Sequence, residues 1–326
     1  MKSRILLTGG TGFFGRALLR HFVSIGMGKN TSICVLSRNP QQFQKKYPEF
    51  TECREINYFK SDIMNRDSLP WNEKFTHVLH AATDSTIGPQ LTPLNRFNQI
   101  LNGTAQILDL AVATGASRFL LTSSGGIYGP QPPDLDLIPE TWQGSPPVDQ
   151  VSSAYSQGKR AAEHICALYR DKYGIDMIIA RCFSFVGTDL PLDVHFAIGN
   201  FIRDALYAER IVVAGDGSPL RSYLDQRDLA NWLWTLLHNG EDGNAYNVGS
   251  DQKISIKDLA HLVRDLVAPG KPIDILGEPD PLSIRNRYIP NIQKIKHMHN
   301  LNITIPLEES IQSTANSHIK DNLKSN

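Results

Sequence analysis

The stretch that decides the fold is Met1-Lys-Ser-Arg-Ile-Leu-Leu-Thr-Gly-Gly-Thr-Gly-Phe-Phe-Gly15. Ile5, Leu6 and Leu7 make a short apolar run of the kind that becomes a buried strand. Gly9, Gly12 and Gly15 follow at three-residue intervals. A helical pattern opens behind them, with Ala17, Leu18, Leu19, Phe22 and Val23 on its apolar side. Strand, glycine turn and helix N-terminus together make a seat for a pyrophosphate. The glycines let the backbone turn tightly and approach the phosphates, and the helix end supplies free N–H groups and a partial positive charge. A glycine triplet alone also fits a bare strand-to-helix turn. Its place on a strand and ahead of a helix is the context that dinucleotide binding needs. Gly9, Thr11, Gly12, Phe13, Phe14 and Gly15 are therefore candidate cofactor-binding residues.

Outward from this turn, Ser32-Ile-Cys-Val-Leu-Ser37 reads as a second strand. An acidic residue near the end of this strand holds the ribose 2′-hydroxyl of NAD, whereas an arginine accommodates the 2′-phosphate of NADP. Here the strand ends Ser37-Arg38-Asn39, and Lys45 and Lys46 follow. The reading is NADP, with NAD as the alternative. A weaker strand, Cys53 to Phe59, precedes Ser61-Asp62-Ile63, which can lie beside the adenine; a turn or capping role explains Asp62 nearly as well. Thr76 to His80 is a fourth strand, and the small Ala81 and Ala82 after it let backbone approach a cofactor. His77 and His80 bracket this strand and receive no role. Leu94 to Thr114 has helical periodicity and ends at Gly115.

Arg118 to Ser123 is a fifth strand running into Ser124-Gly-Gly-Ile-Tyr-Gly129. A proline-rich loop follows, and then Tyr155-Ser-Gln-Gly-Lys159 opens a helix through Tyr169; Ile175 to Arg181 is a sixth strand. Strands alternating with helices predict an α/β fold, a Rossmann-like doubly wound parallel sheet of about seven strands. The seventh is Ala245 to Val248. Helices are expected at Ile198 to Ala208, Leu229 to Leu237, Ile256 to Val267, Ile292 to Met298 and Leu307 to Ile319, with a short strand at Ile211 to Ala214. The expected division is an NAD(P)-binding Rossmann domain at 1–182 plus 225–265 and a smaller mixed substrate-binding portion at 183–224 plus 266–326. Substrate is expected between the two, beyond the carboxyl ends of the strands.

Tyr155 and Lys159 are four residues apart and so share a helix face. A lysine there can hold the tyrosine hydroxyl in a polar, positively charged setting, and with an oxidised nicotinamide adding another positive charge the phenolate becomes accessible nearer neutral pH. Such a tyrosine exchanges a proton with a carbinol oxygen while hydride moves to or from a nicotinamide. Ser124, at a strand end, can hydrogen-bond the same oxygen. A formal net charge of zero gives no basic excess for nucleic acid or an anionic membrane surface, and no apolar run approaches a membrane span. The nucleotide strand begins almost at Met1, which leaves no room for a signal peptide. Cys34, Cys53, Cys166 and Cys182 lack paired spacing and read as reduced thiols, so a cytoplasmic protein is expected, without a metal site.

Jointly these elements resemble the extended short-chain dehydrogenase/reductase family, the nucleotide-sugar epimerases, dehydratases and reductases. The resemblance rests on Thr8 to Gly15, Thr122 to Gly129, Tyr155 to Lys159, Gly215-Asp-Gly-Ser-Pro-Leu-Arg-Ser-Tyr-Leu224, Tyr246-Asn-Val-Gly249 and Arg287-Tyr-Ile-Pro-Asn-Ile292, all in family order. It implies that Ser124, Tyr155 and Lys159 are a catalytic trio and that Arg221, Arg287 and Asn200 touch the diphosphate of a nucleotide-sugar substrate. It also implies a homodimer built on the helices at Leu94–Thr114 and Tyr155–Tyr169. Family dehydratases carry an Asp-Glu pair after the catalytic hydroxyl residue, and related UDP-glucuronate decarboxylases carry the glutamate. Here those positions are Gly125 and Gly126, whose side chains can neither give nor take a proton. The resemblance therefore implies ketone–alcohol chemistry at one sugar carbon, C4. The leading expectation is an NADPH-dependent reductase of a nucleotide-linked 4-keto-6-deoxy sugar, feeding polysaccharide biosynthesis. The alternatives are a 4-epimerase that retains NAD, and a non-catalytic NADP-binding sensor or scaffold.

Overall fold

The structure, a computed structural model, describes residues 3–26, 30–83, 91–194, 196–278 and 286–325. Its centre is a seven-stranded parallel sheet: β1 (Ser3–Thr8), β2 (Thr31–Ser37), β3 (Ile56–Lys60), β4 (His77–His80), β5 (Arg118–Ser124), β6 (Asp176–Cys182) and β7 (Ala245–Val248). The spatial order is β7-β6-β5-β4-β1-β2-β3, as the Rossmann reading requires.

Both faces of the sheet are covered, so the strands are apolar nearly throughout. Ile5 and Leu7 of β1 face one core, with Leu18, Leu19 and Phe22 of α1 (Phe13–Ser24). That core also takes Phe43 of α2 (Pro40–Lys46) and Trp232 and Leu236 of α6 (Gln226–Asn239). Leu6, between them on β1, faces the other way, toward Ile107 and Leu108 of α3 (Pro93–Thr114) and Ala162 and Cys166 of α4 (Ala154–Tyr173). The ends of α3 are written locally. The Thr92 hydroxyl accepts from the Asn95 N–H at 3.2 Å, Pro93 opens the helix, and Gly115 closes it at φ +78°.

The C-terminal helices are α5 (Ala197–Tyr207), α7 (Ile256–Val267), α8 (Gln293–His299) and α9 (Leu307–Ser325). Three of them, α5, α7 and α9, close around a separate core with Ile211 and Val213, whose strand pairs in parallel with Ile273–Ile275. The chain interleaves this separate core with those of the sheet. α7, most of which falls in the 225–265 span read with the nucleotide domain, packs in the separate core. α8, inside the 266–326 span, sends Ile295 into the core under the sheet. α6 begins three residues earlier than its apolar periodicity suggests, because Asp225 caps it and the polar Gln226 and Asp228 are buried. The Asp228 carboxylate accepts from the backbone N–H groups of Thr304 and Ile305 at 2.9 and 3.2 Å, which ties α6 to the segment entering α9. No helix among the described residues is long and apolar enough to cross a membrane.

Candidate active site

A cavity of about 910 Å³ opens beyond the carboxyl ends of β1, β4 and β5, where the strand order reverses. Its floor is the glycine turn. Gly9 has φ +71°, and a Cβ on it would stand 2.5 Å from the Ala81 carbonyl oxygen, so only glycine fits. A Cβ on Gly15 would run into the backbone of Gly10, which explains the third glycine by helix packing rather than by the cavity wall. Beneath the turn the Thr8 hydroxyl accepts from the Ala82 N–H at 3.1 Å and meets His80 Nδ1 at 2.7 Å, while His80 Nε2 meets the Thr104 hydroxyl at 3.1 Å. His80 thus ties β1, β4 and α3 together. Burial, aided by the nearby charge of Lys159, pushes its pKa down to about 3, so it stays neutral.

The predicted dinucleotide residues converge here. Gly9, Thr11, Gly12, Phe13, Phe14, Ser37, Arg38, Asp62, Ile63, Ala81 and Ala82 all line the cavity. Bare glycine backbone at a helix N-terminus suits a pyrophosphate, so the residues present fit a dinucleotide. Asp62 Oδ1 also accepts from the Met64 N–H at 2.9 Å, so the turn role weighed from the sequence is real as well. Beside Arg38 lies a second hollow of about 320 Å³, walled by Arg16, Gln42, Lys46 and Tyr47. It is a basic recess at the strand end where a ribose 2′-substituent is read.

At the other end Ser124, Tyr155 and Lys159 come together. Ser124 ends β5, and its hydroxyl accepts from the Gly126 N–H at 3.1 Å, capping a short helical turn. Tyr155 and Lys159 lie one turn apart at the start of α4. Lys159 Nζ donates to the Thr122 carbonyl at 2.7 Å and to the Thr83 hydroxyl at 2.8 Å, and burial lowers its pKa to about 8. Burial instead raises the Tyr155 phenol to about 12; hydrogen bonding with Ser124 and the charge of Arg96 act against that rise. The accessible phenolate expected from the sequence includes the charge of an oxidised nicotinamide; in the chain alone burial holds the phenol up. The ammonium sits 5.9 Å from the phenol ring centroid and is directed at Thr122 and Thr83, so desolvation wins. At neutral pH the chain presents a protonated phenol.

The three predicted diphosphate ligands separate. Arg221 lines the cavity. Arg287 and Asn200 are not among its lining residues: Arg287 points toward Asp136, 3.9 Å away, and the Asn200 side-chain oxygen accepts from Arg203 at 3.4 Å. Residues the sequence reading did not single out take wall positions, among them Arg96 and Gln99 of α3, Ser156, Tyr223 and Tyr288. For Tyr288 a signal existed. It follows Arg287 in the quoted motif, and in extended backbone neighbouring side chains face opposite ways. Among the described lining residues Asp62, just after β3, is the only carboxylate. A Cβ on Gly126 would stand 2.6 Å from the Ser156 hydroxyl oxygen, so a neutral hydroxyl fills the place where a side chain at 126 would start.

A doubly wound sheet with a glycine turn at its switch point, a strand-end serine and a Tyr-x-x-x-Lys helix defines an extended short-chain dehydrogenase/reductase. More narrowly, the chain belongs to the NAD dependent epimerase/dehydratase family, whose model matches residues 5–249. It is 29% identical over 319 residues to UDP-glucuronic acid decarboxylase 1 of Xenopus tropicalis, covering 96% of this chain and 71% of that one. It is equally 29% identical to UDP-glucuronic acid decarboxylase 3 of Arabidopsis thaliana, covering 94% and 86%. Among solved structures it is similar in fold to a UDP-glucose 4-epimerase with UDP-glucose from Thermotoga maritima (TM-score 0.82, 19% identity, 98% and 99% covered). A dTDP-glucose 4,6-dehydratase from Streptomyces venezuelae, with NAD bound, is similar to the same degree (TM-score 0.83, 20% identity, 98% of each chain).

Proposed function

We propose that this protein is an NADPH-dependent reductase of a nucleotide-linked 4-keto-6-deoxy sugar. The observation that carries the reading is the catalytic end of the cavity: Ser124, Tyr155 and Lys159 meet there, and no carboxylate among the described lining residues stands with them. Dehydration and decarboxylation in the family draw on acidic side chains at the positions held here by Gly125 and Gly126. Carbonyl reduction needs only hydride and one proton. When bound, the nicotinamide supplies the hydride. Ser124 orients and polarises the carbonyl, Tyr155 gives its phenolic proton to O4, and Lys159 holds the nicotinamide ribose. In the cofactor-free chain the phenol is protonated, the form that a proton donor to O4 must take. Arg221 pairs with the substrate diphosphate, for which a planar guanidinium is suited.

The basic recess of Arg38, Lys46 and Arg16 supports NADP over NAD. The names of the relatives point elsewhere, to decarboxylases, and the glycine pair is the reason for departing from them. A second reading, a 4-epimerase that keeps its NAD, draws on the same trio and on a fold shared with 4-epimerases. The four free cysteines fit a reducing compartment, hence the cytoplasm. Leu94 and Leu168, 68% and 55% exposed on the packed pair α3 and α4, fit a homodimer through that face. The test is turnover of NADPH with a panel of nucleotide 4-keto-6-deoxy sugars. Oxidation of NADPH matched by a reduced sugar supports the reading, and a wild type inactive on every member, or one that interconverts two sugars instead, rejects it.

A further inference from the structure

A buried carboxylate fastens one wall of the cavity to the helix behind the glycine turn. Leu190 and Pro191 line that wall, and Asp189, just before them, stands behind it. The Asp189 side chain is 5% exposed. Arg16 and Arg20 are four residues apart on α1 and so share a helix face. Arg16 Nε lies 3.1 Å from Asp189 Oδ1, and Arg16 Nη2 donates to the Asp189 carbonyl at 2.7 Å. Arg20 pairs with Asp189 Oδ2. From α6 the Gln226 amide donates to Asp189 Oδ2 at 3.1 Å and to the Thr188 hydroxyl at 3.0 Å, while its oxygen accepts from the Asp189 N–H at 3.0 Å. A Cβ on Gly187 would stand 2.4 Å from the Gln226 side chain, so glycine there lets the loop lie this close to α6. The Leu190 N–H donates back to the Gly187 carbonyl at 2.9 Å. Leu190 and Leu192 then enter the C-terminal core, on which Phe13, the first residue of α1, also packs.

Apolar contact alone is non-directional and would let such a loop slide on the helix. A guanidinium fork that takes the carboxylate and the carbonyl of one residue fixes a single geometry. We propose that Asp189 is a positioning residue: through Arg16 and Arg20 it sets where Leu190 and Pro191 stand relative to the cofactor turn, and with them the width of the cavity offered to a nucleotide sugar. The same guanidinium reaches the other way. Arg16 Nη1 donates to the Tyr47 hydroxyl at 2.5 Å, and Arg16 and Tyr47 both wall the basic recess beside Arg38. Arg16 thus braces the recess and the cavity wall at once.

The kinetic arm of the test rests on the reduction proposed above and uses the full-length protein. Asp189→Asn keeps the side chain's shape and removes its charge. The expected result is a rise of about tenfold in KM for the nucleotide 4-keto sugar, with kcat and KM for NADPH within about twofold. An ion pair that served stability alone would lower the unfolding midpoint and leave both KM values where they were. An unchanged KM for the sugar, or an equal rise in both KM values, overturns the proposal. A substrate-free measurement separates it from the functional reading. Arg16→Gln/Arg20→Gln leaves the loop's own sequence untouched, and in it the amides of Asp189 and Leu190 are expected to exchange hydrogen at least about tenfold faster, with those of β5 and α4 unchanged. Unchanged exchange at these two amides, or acceleration spread equally over β5 and α4, overturns the proposal whatever the enzyme turns over. A wild type that reduces no keto sugar rejects only the functional reading, and the exchange rates still decide the role of Asp189.

Discussion

Lys159 shows how this site sets function against stability at a single residue. It is 3% exposed, and its pKa falls to about 8 from an ordinary value of 10.5. Because the folded value is the lower one, the unfolded chain binds the proton more readily. Stability therefore rises with pH through the window from about 8 to 10.5, and below it the buried ammonium costs on the order of 3 kcal/mol. Lys159→Met is expected to abolish turnover yet raise the stability of the cofactor-free protein at pH 7. The gain is put at 1–3 kcal/mol, roughly, after allowing for the hydrogen bonds lost at Thr122 and Thr83. Urea unfolding measures it, and a destabilised variant would show that the hydrogen bonds outweigh desolvation. Tyr155→Phe is expected to cut kcat at least roughly 100-fold while leaving the unfolding midpoint unchanged. Near-normal turnover would remove Tyr155 from the proton-transfer step.

At the scale of elements, His80 is the pin between β1, β4 and α3. Its folded pKa of about 3 lies below the ordinary 6.5, so the unfolded chain takes up the proton first and stability is lost as pH falls through that window. The loss attributable to His80 is on the order of 4 kcal/mol by the bottom of the window. His80→Gln is expected to flatten the acid limb of stability, leaving the share of His77, whose pKa is lowered to about 4. Unfolding at pH 7, 5 and 4 gives the slope, and an unchanged slope would exclude His80 as its source. The elements themselves were largely legible in the sequence. Periodicity and glycine punctuation place every sheet strand to within a few residues, because strands buried on both faces leave long apolar runs. The start of α6 was not legible, since Asp228 looks like a surface residue until Thr304 and Ile305, far along the chain, supply its partners. The raised Tyr155 phenol was hidden for the same reason: a four-residue spacing shows which groups share a face, not how dry that face is.

At the scale of the whole molecule, residues packed on a sheet core and on the separate C-terminal core line one cavity, and its two ends can be altered separately. Arg38→Ala and Lys46→Ala are expected to weaken NADP binding about tenfold or more and to leave NAD binding nearly unchanged, since on the proposed reading only the 2′-phosphate enters the recess they wall. Calorimetric titration of both cofactors reads this, and equal losses for the two would place the recess outside the binding site. The central claim is net reduction at one carbonyl. The most direct measurement is to identify any dinucleotide that the purified protein carries, and then to count NADPH consumed per sugar converted with a nucleotide 4-keto-6-deoxy sugar. The account predicts a protein that retains no NAD and oxidises one equivalent of NADPH per reduced sugar. A protein that holds NAD through purification and interconverts two sugars with no loss of NADPH would contradict it.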